Sequence, residues 1–170
     1  MGQVAISAVI AGADDNTAIR DVITQWPKCT HLQDHFREDL KLEFLLKLFS
    51  HSSLKEELTS IKYDCPFEGM AGLMIRDPAL REGRPRDGKG HLFLTTFTRP
   101  EGGESETEIM DLAATSMKDA VGKVEARHLP ELDIVVICNI RWLQKGSTFD
   151  FGCNYGKKDG KHEVVCVFLK

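Results

Sequence analysis

Apolar and polar positions alternate most cleanly near the carboxyl end, where side chains of one sheet face recur with period two. Three such runs cover about 133–143, 147–156 and 162–169. They are separated by Lys145-Gly146 and Asp159-Gly160, dipeptides suited to two-residue hairpin turns. Counting outward from those turns pairs Gln144 with Ser147 and Lys158 with Lys161. Cys138 then faces Cys153, and Cys153 faces Cys166, so three cysteines form a row across a meander. Their face also carries Ile134, Val136, Ile140, Trp142, Phe149, Phe151, Tyr155, Val164 and Phe168. The other face of the middle strand holds Thr148, Asp150, Gly152 and Asn154, which is wet or meets something polar; Asp150 lies opposite Arg141. The last run is apolar on both faces, since Val165, Val167 and Leu169 fill the second. Such a strand is interior to a sheet covered on both sides. A strand from earlier in the chain is therefore expected along its free edge.

Helical spacing dominates the first third. Asp15 or Asn16 caps a helix with Ile19, Val22, Ile23 and Trp26 on one face, ended by Pro27. A second helix runs from about Leu32 to Phe49, and its later half is apolar nearly all round, as in a helix buried on most sides. Ser53 with Glu56 starts a third, short helix through Ile61. A fourth begins at the capping box Ser105/Glu108 and carries the stripe Ile109, Leu112, Ala113, Ser116, Met117, Ala120, Val121 and Val124. Strands are read at Gln3–Ile10, Met70–Ile75 and His91–Thr98, with a long polar loop between the last two. The order is β-α-α-α-β-β-α-β-β-β. It describes an α+β domain spanning 1–170, a mainly antiparallel sheet ending in the meander and packed with four helices.

Composition narrows the class. A chain of 170 residues buries enough surface to fold as one domain without staples. A formal net charge of −4 gives no pull toward nucleic acid or an acidic membrane. Five cysteines, an odd and irregularly spaced set, read as reduced thiols packed as small hydrophobes in a cytoplasmic protein. The apolar stretch Val4–Ala11 is short and has no Lys or Arg before it, so it reads as a strand rather than a targeting segment. No apolar run is long enough to span a membrane.

Candidate chemistry is sparse. The loop 76–91 carries Arg76, Arg81, Arg84, Arg86 and Lys89; guanidinium forks on such a loop suit a phosphate or carboxylate. No phosphate-loop or dinucleotide spacing supports a nucleotide. His31, His35 and Asp39 would share a face of the second helix, yet a solvated polar face explains them equally, and no metal or cofactor is expected. Cys65 stands outside the regular elements, and with His91 it could form a thiol–imidazole pair. The leading expectation is a non-enzymatic intracellular domain binding a small anionic ligand or a protein partner through the Arg-rich loop. The alternative is a small cysteine-dependent enzyme using Cys65 with His91, and a third role is self-association through an edge strand.

Overall fold

The computed structural model describes residues 17–50, 58–82, 92–119, 127–129, 134–136 and 150–169. Helices are α1 (residues 17–25), α2 (Glu38–Ser50), α3 (Cys65–Arg76) and α4 (Glu106–Asp119). Strands are β1 (Lys62–Tyr63), β2 (Leu92–Pro100), β3 (Arg127–Leu129), β4 (Ile134–Val136), β5 (Asp150–Lys158) and β6 (Lys161–Leu169). The protein has an α+β fold whose four-stranded sheet runs β1-β5-β6-β2, with only the short β1–β5 pairing parallel.

The β5–β6 hairpin follows from its turn. Asp159 and Gly160 both take positive φ, 52° and 72°, as a tight hairpin reversal requires. That fixes Lys158 opposite Lys161 and Cys153 opposite Cys166. Because β6 is apolar on both faces, it sits inside the sheet, and β2 pairs along its other edge from Leu92↔Leu169 to Pro100↔Lys161. The expected first meander strand is described only at Ile134–Val136, which pairs with β3 rather than with β5. Cys138, Arg141 and the Lys145-Gly146 turn lie outside the described residues, as does the expected strand Gln3–Ile10.

Helices cover both faces of the sheet. On the face of Cys153, Phe151, Val164, Cys166 and Phe168 pack with Ile19 and Ile23 of α1, with Phe44, Leu45, Leu48 and Phe49 of α2, and with Ile109, Met110 and Ala113 of α4. Helix α4 starts at the expected capping box: Glu108 N–H donates to Ser105 Oγ (3.2 Å) while Ser105 N–H donates to the Glu108 carboxylate (2.7 Å). On the opposite face, α3 lays Ala71, Met74 and Ile75 against Val165, Val167 and Leu94.

Two local expectations give way. Met70–Ile75, read as a strand, lies in α3: its buried residues Ala71, Met74 and Ile75 recur at helical spacing, while Leu73 is exposed. The second helix begins at Glu38, not Leu32; residues 30–37 form an irregular arc.

The cysteines are oxidised where they are described. Cys29 is bonded to Cys65 and Cys153 to Cys166. Reduced thiols were expected from the odd count, but two buried pairs brought side by side by the fold need no regular spacing in sequence. The cross-strand pair sits where the hairpin register brings the two Cα atoms to 4.0 Å, the close approach of a non-hydrogen-bonded antiparallel pair.

Candidate functional site

Helix α1 must end at Pro27, which has no N–H to donate and clashes with a continuing helix. The chain turns there, and Trp26 closes the corner. Its ring stacks on Tyr63 (centroids 5.9 Å apart, 17° between planes) and meets Phe151 and Phe49 edge-on at 5.4 and 5.8 Å. Two residues after Pro27, Cys29 takes φ +62°, a left-handed conformation that a side chain adopts at a cost. Its bond to Cys65 ties the corner to the first residue of α3.

Under the corner lies a buried ion pair. Lys41 of α2 and Glu68 of α3 approach to 2.7 Å, their side chains 8% and 0% exposed. A charge removed from water is tolerated only when paired and fully hydrogen-bonded. Both conditions hold. The Lys41 ammonium donates to Glu68 Oε1, to Pro27 O (3.1 Å) and to Lys28 O (3.3 Å), and lies 4.4 Å from the centre of the Tyr63 ring. Glu68 Oε1 also accepts from the Tyr63 hydroxyl (2.6 Å), and Oε2 accepts from Phe36 N–H (3.2 Å). The same hydroxyl accepts from Cys153 N–H at 3.2 Å, which connects the pair to β5. Burial first, and the Glu68 carboxylate second, hold the Tyr63 phenol well above its ordinary range.

Two glycines make the connection geometrically possible. A Cβ on Gly152 would fall 2.3 Å from Glu68 N and 2.7 Å from Phe67 C, so the first turn of α3 rests directly on β5. A Cβ on Gly72 would stand 2.8 Å from Asn154 Nδ2. That amide donates to Asp34 O (2.6 Å) and Glu68 O (3.2 Å), tying down the far end of the arc. The polar face expected at Gly152 and Asn154 thus meets backbone rather than water.

Grooves open on both sides of the corner. One, about 380 Å³, is lined by Ile23, Thr24, Trp26, Pro27, Lys28 and Leu42 among others. The other, about 620 Å³, includes Gln25, Trp26, Pro27, Lys62, Asp64 and Cys65. Lys28 and Glu38 face each other at 3.6 Å at the rim of the first.

The residues expected to carry chemistry are placed differently. Cys65 is half of a disulfide, so it has no thiol to act as a nucleophile. Arg76 pairs with Asp34 (2.6 Å) and Arg81 with Glu163 (2.6 Å), the latter largely buried. Arg84, Arg86, Lys89 and His91 lie outside the described residues. His31, His35 and Asp39 do not share a helical face, since α2 starts only at Glu38; His35 Nδ1 contacts Leu32 O, and Asp39 is bound by Arg37. Among the described residues no group of His, Cys, Asp and Glu is arranged to hold a metal ion.

Sequence reading passed over Lys41, Glu68 and Tyr63. Glu68 is the one charge in Cys65–Ile75, a faint signal; Lys41 gave none, since Lys47 stands between two leucines in the same way and is exposed.

No curated protein and no solved structure matches the chain. A family model does, over residues 29–168, and its description is Ancylostoma-associated secreted protein related. Disulfides persist in oxidising compartments and are rare in the cytosol. The cytoplasmic localisation expected from sequence is therefore corrected: both disulfides and the match point to a secreted protein. With the match covering most of its length, the chain belongs to the Ancylostoma-associated secreted protein related family.

Proposed function

We propose that the protein is a secreted binding domain that presents the Trp26–Lys28 corner to a polypeptide partner, without chemistry at that site. One observation carries the reading: a buried ammonium, Lys41, is committed to the carbonyls of Pro27 and Lys28, so the backbone of an exposed turn is held from beneath. Fixing a surface segment in advance removes much of the ordering cost of association. Grooves on both sides of one aromatic corner suit two neighbouring side chains of a peptide or loop. Glu68 is no general acid here, because its oxygens are held by Lys41, Tyr63 and Phe36. The Arg-rich loop is not part of this reading, since Arg76 and Arg81 are engaged with Asp34 and Glu163.

The test uses peptides selected from a random display library on the immobilised, oxidised protein. Thr24 and Gln25 are exposed and line one groove each. Thr24→Arg and Gln25→Arg should each weaken the selected peptides roughly tenfold or more while leaving the fold intact. Peptides that bind both variants as well as the wild type, or a library that yields no binder, would overturn the reading.

A further inference from the structure

The two disulfides differ in what surrounds them. Cys153 and Cys166 are 0% exposed, between the helices of one layer and the sheet. Cys65 keeps 9% and Cys29 3%, and Cys65 lines the larger groove beside the corner. Cys29 is also the residue held at φ +62°, between the Lys41 clamp at residues 27 and 28 and the Asn154 tether at Asp34. Breaking its bond frees the arc between two fixed points and lets Cys29 leave the left-handed region.

We propose that Cys29–Cys65 is a reducible switch: an external dithiol opens it through the groove and releases the arc 29–33, while Cys153–Cys166 and the sheet stay intact. The dithiol's thiolate attacks Cys65 Sγ, the sulfur whose residue lines the groove, forming a mixed disulfide, and the Cys29–Cys65 bond breaks. Its electron pair leaves on Cys29 Sγ, which takes up a proton. Cys65 is the first residue of α3, at the positive end of the helix dipole, which favours the negative charge its sulfur takes on release. The second thiol of the dithiol then attacks the mixed disulfide, expelling Cys65 as thiolate. The reductant departs as a disulfide, having given two electrons and two protons to the protein. The inference stands whether or not the corner binds a partner, because its readouts are local.

The experiment titrates the folded protein with dithiothreitol, traps free thiols by alkylation and maps them by mass spectrometry. Cys29 and Cys65 should be labelled at roughly tenfold lower dithiol than Cys153 and Cys166. At the selective concentration, hydrogen exchange should quicken for amides 29–33, including Leu32 N–H, which is bonded to Cys29 O in the oxidised form. Amides of β5 and β6 should be unchanged. A Cys29→Ser/Cys65→Ser double variant should show the released exchange pattern and no response to low dithiol. Reduction of both bonds together, or selective reduction with unchanged exchange at 29–33, would overturn the proposal. So would a double variant that exchanges like the oxidised wild type.

Discussion

The β5–β6 hairpin and the Lys41–Glu68 clamp meet at Tyr63 and Cys153, yet they are built on opposite terms. The hairpin is local and apolar: one positive-φ turn sets a register, and Val164 to Phe168 are buried on both faces. The clamp is long-range and polar. It joins Lys41 to a carboxylate 27 residues away and joins Tyr63 to a strand 90 residues away. A hairpin of this kind tolerates the loss of any one contact, because apolar burial is spread over many side chains. A buried charge has no such tolerance, since removing its partner leaves it unpaired where water cannot reach. The difference teaches where the molecule is fragile: in three polar side chains beneath the corner rather than in the sheet.

Substitutions can break or sharpen that contrast. The largest effect is expected from Glu68→Ala, which strands the Lys41 ammonium, the Tyr63 hydroxyl and Phe36 N–H together. Urea unfolding should show a loss of about 3–5 kcal/mol, the range for a broken buried pair. Removing the cross-strand bridge with Cys153→Ala/Cys166→Ala should cost less, about 3 kcal/mol from the entropy of a closed loop of that length, with the hairpin register retained by NMR.

Tyr63→Phe removes one hydroxyl and leaves Cys153 N–H short of its partner, which should cost about 1–3 kcal/mol. It also has a pH signature. The folded phenol titrates above its ordinary value of 10.0, so above that value the unfolded chain has lost a proton the native state still holds. Stability from this group is whole below the unfolded value and falls as pH rises beyond it. Wild-type stability should drop in alkali, and Tyr63→Phe should flatten that drop. The smallest effect is expected from Arg99→Ala. Its 2.6 Å pair with Glu104 is substantially exposed, and a change of at most about 1 kcal/mol in the same urea assay would mark it as surface electrostatics.

Legibility in the sequence follows the same division. The Asp159-Gly160 turn, the opposition of Cys153 and Cys166, the place of β6 inside the sheet and the Ser105/Glu108 capping box all follow from spacing over a few residues. Periodicity reports such features because neighbours in sequence are neighbours in space. Helix α3 escaped, because the short apolar segment Met70–Ile75 suits a strand as well as a helix, and what places it is distant: Gly72 makes room for Asn154, a residue 82 positions on. The clamp escaped for the same reason: its members come from four separate elements, and no local pattern connects them. The thiols were placed correctly on one face at Cys153 and Cys166, but register gives geometry, and oxidation state depends on the compartment.

A double-mutant cycle at Lys41 and Glu68 tests the clamp most directly. Lys41→Met, Glu68→Gln and the double variant would be unfolded in urea beside the wild type, with the Gln retaining groups able to meet Tyr63 and Phe36. A coupling of roughly 1.5–3 kcal/mol, with the double variant more stable than the two losses summed, is the expected result. A coupling below about 0.5 kcal/mol would mean that the two charges act independently, and the corner would then owe its shape to something else.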